Sequence, residues 1–255
     1  MTASGKFHKS GSWSLSDAGV LTLSGTVDDT YFGKSSLYDY RDSIKSVVCA
    51  SGTVISSFDG LFHPDGDKFF DSAGISATSI DLSNAKISAT DWYNAFADCK
   101  SLSVLKLPSA SGVADLSYAF SFCSSLTSLD ISMVSTVAGC DCTSMFFLCN
   151  SLSRVVFGSG FNVSPTMKYG NDTDTDFGAA KNLTTGLSIA SRYDSGGKDP
   201  FAMLTAAERK GTWDRTVKFA YSAKAERDPS KPTVTISVTF ATNSKSSTRA
   251  ITVYR

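Results

Sequence analysis

A short motif, Phe-x-x-Cys-x-Ser-Leu, occurs three times and leaves the chain few choices of fold. The copies run 96–102, 120–126 and 146–152, so the intervals are 24 and then 26 residues. One segment of this length cannot bury its own apolar face, whereas stacked copies share a continuous core. The repeat therefore predicts a solenoid.

Each copy continues into an apolar-x-x-apolar-x-apolar pattern, which is typical of a short strand facing a core. We predict that these strands stack into a parallel sheet, and that the recurring Phe and Cys lie on the returning side of each coil and point inward. The predicted repeat core is Phe96, Cys99, Leu105, Phe120, Cys123, Leu129, Phe146, Cys149 and Val155. Two earlier copies keep the apolar core but lose the repeat cysteine, and they run through Ile44, Val47 and Cys49 and through Ala77, Ile80 and Leu82. We also expect a degenerate last copy through Leu183, Leu187 and Ile189.

The sequence of the repeat is similar to that of a known family. Ser124–Ile131, with the sequence SSLTSLDI, resembles the BspA-type leucine-rich repeats of bacterial surface proteins, a group also seen in the Mycoplasma lipoprotein repeat family. Gly11–Gly25 resembles the hairpin that opens such solenoids, and the resemblance covers roughly residues 11–160. It implies a leucine-rich-repeat fold and adhesion or host-component binding, without naming a ligand.

We expect a mainly β repeat solenoid with three parts. Residues 1–43 are predicted to form an N-terminal hairpin cap, because apolar residues alternate around the turn signal Asp17-Ala-Gly19. Residues 44–211 are predicted to form the solenoid, closed by a capping helix from Asp199-Pro200 to Gly211. In residues 212–255 a period of two predicts a small β appendage, with strands around 217–221, 234–240 and 251–253.

Composition limits the partners. Twenty-four basic residues balance twenty-four acidic ones and only 19% of residues are charged, so the chain has no long-range field for nucleic acid. No apolar stretch reaches the length of a membrane span, and we expect no membrane insertion. The polar start, Met1–Ser12, does not read as a secretory signal. We expect an extracellular or cell-surface location after removal of a signal, or alternatively a phage virion, whose proteins leave the cell by lysis.

The residues that often carry chemistry do not form a recognisable constellation. His8 and His63 have no nucleophile at a motif spacing, and the loop holding Asp172, Asp174 and Asp176 fails the EF-hand pattern. We favour buried free thiols over metal ligands or disulfides for the three repeat cysteines. Cys140 and Cys142 lie outside that register, as either reactive, paired or protected thiols. The sequence thus predicts no enzyme, no metal and no cofactor.

The outward positions of the predicted strands form a Ser/Thr-rich stripe with charges of both signs. We predict that this stripe binds a protein or a glycan, as an adhesin-like scaffold would. Its proposed ligand-binding residues are Ser79, Asp81, Lys106, Ser128, Asp130 and Arg154. The alternative is a virion component such as a tail-fibre or receptor-binding protein, in which the C-terminal strands make a homo-oligomer.

Overall fold

The computed structural model describes residues 3–8, 10–28, 37–63, 74–164, 180–189, 199–215, 220–227, 233–242 and 245–254. The chain divides into two compact units, Met1–Arg215 and Thr216–Arg255. The described structure is mostly β with almost no helix, and the first unit contains a β-solenoid of about five turns. The predicted repeat solenoid is therefore confirmed.

The described residues of the first unit form sixteen strands and two short helices. The strands are β1 (Ala3–Lys6), β2 (Ser12–Leu15), β3 (Val20–Ser24), β4 (Thr26–Val27), β5 (Ser46–Cys49), β6 (Val54–Ile55), β7 (Ser79–Asp81), β8 (Lys86–Ile87), β9 (Val104–Lys106), β10 (Ala110–Asp115), β11 (Ser128–Ile131), β12 (Val134–Asp141), β13 (Arg154–Phe157), β14 (Ala180–Asn182), β15 (Ser188–Ile189) and β16 (Gly211–Asp214). The helices are a 3-10 turn, Tyr38–Tyr40, and α1, Ala206–Arg209.

One side of each coil is a strand of a parallel ladder. Strands β3, β5, β7 and β9 pair in that order, and β11 pairs with β13 in the same sense. Successive side chains of a strand point to opposite faces, so the register brings one buried side chain from each coil into a row. Leu21, Val47, Ile80 and Leu105 form such a row, and Leu129 stands opposite Val155.

A second side of the coil carries shorter strands. Strands β4, β6 and β8 pair in parallel, and β10 pairs in parallel with β12 across two register shifts. Val113 stands opposite Thr136, whereas Asp115 stands opposite Asp141, so β12 contains extra residues relative to β10. Such bulges redirect side chains, and here Val137 is exposed while Cys140 is buried.

The returning side of the coil consists of consecutive turns that surround a ladder of phenylalanine rings. Phe62, Phe96, Phe120 and Phe146 are buried and stacked, with centroids 5.4, 5.5 and 5.9 Å apart. In the turn segment around Phe96, alternate N–H groups donate three residues back within the coil or across to the next coil. The turns therefore satisfy their backbone donors without a regular strand.

The thiols of the repeat explain why Cys follows Phe by three residues. Each buried thiol donates to the carbonyl oxygen of the phenylalanine one coil earlier. The Sγ–O distances are 3.8 Å from Cys99 to Phe62, 3.1 Å from Cys123 to Phe96, and 2.9 Å from Cys149 to Phe120. All six cysteines are free and buried. The predicted core residues thus all lie in the interior.

Left-handed backbone recurs two residues before and two residues after each of the last three stacked rings. The residues are Asn94 (φ 53°), Asp98 (55°), Tyr118 (55°), Phe122 (60°), Ser144 (48°) and Leu148 (54°). Each costs on the order of 1 kcal/mol relative to right-handed backbone for a residue with a Cβ. The inter-coil hydrogen bonds from Asn94, Asp98, Tyr118 and Phe122 hold these positions in place.

The N-terminal strands add to the first edge of the parallel ladder. β1 pairs antiparallel with β2, and β2 with β3. Gly19 closes the β2–β3 turn with φ +79°, and its N–H donates to Ser16. A side chain there would also meet the backbone oxygen of Ser43 at 2.7 Å, so this turn needs glycine.

The other end of the ladder differs from the predicted last repeat. β16 pairs antiparallel with β13, and β14 pairs antiparallel with both β16 and β15. The segment with Leu183 and Ile189 is therefore a hairpin and not a further parallel coil, and Leu183 is exposed. Residues 211–214 belong to this sheet, and the boundary between the two units follows Arg215. The predicted boundary between solenoid and appendage followed residue 211.

The predicted helix from Asp199 to Gly211 is wrong in its extent. Residues 200–203 are turns, and α1 spans only Ala206–Arg209. Thr205 is the N-cap, in extended conformation, and forms a capping box with Glu208. The N-cap is therefore six residues later in the chain than Asp199, the predicted N-cap. The carboxylate of Asp199 instead accepts a hydrogen bond from the backbone N–H of Phe201.

The second unit is a three-stranded antiparallel sheet in its described part. Its strands are β17 (Ala220–Arg227), β18 (Thr233–Thr242) and β19 (Lys245–Tyr254), with β18 in the centre. Val217 and Phe219, which were assigned to the first of these strands, lie outside the described residues. The other two predicted strands fall within β18 and β19.

Candidate functional site

The outward side of the parallel ladder, here called the strand face, brings the predicted ligand-binding residues together in two groups. Asp81 stands directly opposite Lys106, with Ser79 two residues away on the same strand. Ser128 stands directly opposite Arg154, with Asp130 two residues away. Lys106, Ser128, Asp130 and Arg154 are exposed, while Ser79 and Asp81 are half-buried.

The first group is an ion pair fixed to a turn. Lys106 Nζ lies 2.8 Å from Asp81 Oδ2, and Asp81 Oδ1 accepts hydrogen bonds from the N–H and hydroxyl of Ser83. The hydrogen bonds from Lys106 and Ser83 lower the pKa of Asp81 to about 2. Asp81 is therefore ionised and oriented at neutral pH. Asp130 is oriented by a similar turn contact, because its Oδ1 accepts a hydrogen bond from the N–H of Ser132 at 2.9 Å.

Apolar side chains interrupt the strand face. Val104 is opposite Ser79 and Val48 is opposite Asp81, and both valines are exposed. At the far end Asp214 of β16 stands opposite Arg154 and extends the face by one strand. The strand face thus offers apolar contact, hydroxyl groups and charges of both signs, divided between the sheet of β5, β7 and β9 and the sheet of β11, β13 and β16.

A row of aspartates, which the sequence analysis missed, follows the returning turns. Asp91, Asp115 and Asp141 occupy equivalent positions, and each accepts through Oδ1 from the N–H two residues later, at 2.8, 2.7 and 2.8 Å. Each lies five residues before a stacked phenylalanine, a spacing that would have revealed it. Burial raises the pKa of Asp115, and repulsion from Asp141 and Asp91 raises it further.

A depression of about 470 Å³ opens beside the first of these aspartates. Among the described residues it is lined by Ser57, Asp59, Asp91 and Tyr93. Ser57 holds the position equivalent to Asp91 one coil earlier, and its hydroxyl accepts from the N–H of Asp59 at 3.0 Å. The depression is therefore rich in hydrogen-bond acceptors.

His63 has a buried polar neighbourhood. Its Nε2 lies 3.8 Å from Oδ2 of Asp98, whose Oδ1 lies 3.1 Å from Lys100 Nζ. The nearby Cys99 thiol is not activated, because burial raises its pKa to about 12. The thiol is protonated at neutral pH and serves as the hydrogen-bond donor of the turn ladder.

Cys140 and Cys142 lie side by side in the interior. Their Sγ atoms are 3.9 Å apart, and Cys142 follows Asp141 as Leu116 follows Asp115, on the inward side of the turn. Burial, followed by the neighbouring Cys140, raises the pKa of Cys142. Of the interpretations that the sequence left open, the structure favours two protected thiols that are close neighbours.

Within the described residues, no group of three or more His, Cys, Asp or Glu side chains is arranged to hold a metal ion. The loop with Asp172, Asp174 and Asp176 lies outside the residues that the structure describes. No helix in the described part of the chain has the length and apolarity needed to cross a membrane.

Comparisons with known proteins leave the family open. No family model, curated protein or solved structure matches this chain. The similarity of the repeat to BspA-type leucine-rich repeats therefore remains a resemblance.

Proposed function

We propose that this protein is a non-enzymatic binding scaffold of the BspA-like leucine-rich-repeat type, which acts as an adhesin-like module on a cell surface or outside the cell. The observation that carries the proposal is the strand face. It combines an oriented ion pair, Asp81–Lys106, on one stretch of parallel strands with exposed Ser128 and Arg154 on a second stretch.

The chemistry of the strand face suits recognition of a protein or a glycan. Hydroxyl groups and charges of both signs form hydrogen bonds that fix orientation, while Val48 and Val104 contribute apolar contact area. A ladder surface that is fixed by stacking also loses little conformational freedom on binding, which favours affinity.

In this proposal the two ends of the ladder are caps. The β2–β3 hairpin covers the first coil, and residues 199–214 cover the last. Phe201 and Trp213 are buried there, with centroids 5.9 Å apart, and Phe157 lies 4.8 Å from Phe201. Repeat proteins require such caps, because the terminal coils otherwise expose apolar surface.

The test is binding of the full chain to a panel of extracellular-matrix proteins and oligosaccharides, followed by surface plasmon resonance. We expect saturable binding that the double substitution Lys106→Ala/Arg154→Ala weakens about tenfold, as loss of charged interface contacts does. The matched control is Lys86→Ala/Lys210→Ala, which removes the same charge from exposed positions off the strand face. Equal weakening by both pairs, or no saturable binding, contradicts the proposal.

A second candidate function is a virion component that assembles through its C-terminal strands. The second unit supports it, because among its described strands β17 and β19 each pair on one side only, and another chain can add to such an edge. Light scattering of the full chain and of a chain ending at Arg215 separates the candidates. A trimer that becomes a monomer on truncation favours the virion component, and a monomer in both forms favours the adhesin-like scaffold.

A further inference from the structure

The depression beside Asp91 has chemistry that the strand face lacks. It is lined by one aromatic residue, Tyr93, which is 41% exposed, and by three residues with acceptor oxygens, Ser57, Asp59 and Asp91. An aromatic face beside acceptors selects a ligand with an apolar patch on one side and hydrogen-bond donors around it.

The groups of the depression are held in place before any ligand arrives. The N–H of Tyr93 donates to Asp91 Oδ1 at 2.8 Å, which ties the carboxylate to the residue that carries the ring. The ring of Tyr93 meets that of Tyr118, one coil later, edge to face at 6.2 Å. Within the described residues, the second carboxylate oxygen of Asp91 has no partner, so it is available to accept a hydrogen bond.

We infer that the depression binds a neutral saccharide, with one pyranose ring stacked on Tyr93 and its hydroxyl groups donating to Asp91 and Asp59. A pyranose presents C–H groups on a face and hydroxyl groups at its edge, which is the pattern that the depression complements. Hydroxyl-to-carboxylate hydrogen bonds are charge-assisted and short. A volume of about 470 Å³ lies within the range of small-ligand sites.

The surroundings extend the site along the solenoid. Stacked coils are about 4.8 Å apart, and Asp115 and Tyr118 of the next coil lie beside Asp91 and Tyr93. A second sugar unit of an oligosaccharide that extends along the stack of coils can therefore contact the carboxylate of Asp115 and the ring of Tyr118. This inference rests on the proposed binding function and assigns it a ligand class and a second surface.

The experiment probes a panel of neutral hexose and N-acetylhexosamine oligosaccharides with the full chain, and then measures the best binder by calorimetry. Tyr93→Ala removes the ring and is expected to weaken binding about tenfold, while Tyr93→Phe keeps the ring and stays within about threefold. Asp91→Asn retains an acceptor for the turn but loses the charge, and is expected to weaken binding about tenfold. Thermal unfolding of each variant checks that it is folded.

The outcomes separate this site from the strand face. Binding lost in Tyr93→Ala but kept in Lys106→Ala/Arg154→Ala supports the saccharide site. The reverse pattern overturns it and leaves the strand face as the binding surface. The inference is also overturned if no neutral oligosaccharide binds. It is overturned as well if the protein binds polylysine with an affinity that decreases steeply with salt and in Asp91→Asn, because the depression is then a site for cations.

Discussion

The thiol of Cys123 donates a hydrogen bond to the carbonyl oxygen of Phe96, 3.1 Å away and one coil earlier in the solenoid. The contact joins the two residues that define the repeat, and it links neighbouring coils. Because burial raises the pKa of Cys123 well above its ordinary value, the thiol stays protonated and remains a donor.

Cys123 is expected to resist iodoacetamide in the folded protein and to react after denaturation, because only an accessible thiolate is a good nucleophile. Peptide mass spectrometry of the labelled chain measures this directly. Ser151→Cys introduces a thiol at an exposed turn position and serves as the control that labels at once. Rapid labelling of Cys123 in the native state would contradict the buried ladder.

Leu129→Ala is expected to lower the free energy of unfolding by about 2–5 kcal/mol, since it leaves a cavity in the row opposite Val155. Urea unfolding followed by tryptophan fluorescence gives the value. Met133→Ala is the control, because Met133 is 61% exposed whereas Leu129 is 2% exposed. We expect it to change stability by less than about 0.5 kcal/mol. Similar effects at both positions would show that the register is wrong.

Leu148→Gly is expected to leave stability unchanged or to raise it by up to about 1 kcal/mol. Its backbone is left-handed at φ 54° and its side chain is exposed, so glycine relieves strain and removes little packing. Asn150→Gly, two residues later at an exposed position outside the left-handed set, is expected to destabilise. Thermal unfolding compares the two, and a larger loss for Leu148→Gly refutes the strain argument.

Lys106→Ala is expected to raise the pKa of Asp81 from about 2 towards its ordinary value, because the hydrogen bond from Lys106 is the main cause of the lowering. A lowered folded-state pKa stabilises the protein above the unfolded pKa, near 4, and that contribution disappears as the pH falls through about 2. For so exposed a pair it amounts to about 1 kcal/mol or less. NMR titration of the carboxyl carbon measures the pKa of Asp81. The control substitution Lys86→Ala should leave that pKa unchanged.

Asp115→Asn is expected to raise the melting temperature at pH 7. Because the pKa of Asp115 is raised in the folded state, its ionised form disfavours folding above that pKa, and the penalty vanishes at low pH. Asparagine keeps an oxygen that accepts from the N–H of Ser117. The gain should therefore shrink near pH 3, and a gain of equal size at both pH values would point to a cause other than charge.

The parallel ladder was predictable because apolar spacing and the Phe–Cys repeat report directly on which side chains are buried. The left-handed turns were not predictable, because only Asn94 and Asp98 among their six residues are of types that favour this conformation, whereas residues such as Tyr118 and Leu148 are not. Inter-coil hydrogen bonds override their local preference. The helix was predicted too long because Asp199 and Gly211 resemble caps, whereas Thr205 is the residue that begins it.

The candidate sites were likewise predictable in part. Alternation along the strands predicted that Asp81, Lys106, Ser128 and Arg154 point outward, and the structure pairs Asp81 with Lys106 and Ser128 with Arg154 in two separate sheets. The row that begins at Asp91 went unnoticed because its spacing to the stacked rings becomes meaningful only once the returning turns are known to stack. The antiparallel end strands also needed the structure, since their pairing joins segments far apart in sequence.

The antiparallel pairing of β16 with β13 determines where this protein can change its length during evolution. A new coil added after β13 would have to displace β16 and expose Trp213. A duplicated unit inserted between β9 and β11 would instead meet similar neighbours on both sides. Natural variation in the number of coils should therefore arise in the interior, which lengthens both the strand face and the aspartate row while residues 199–214 stay as they are.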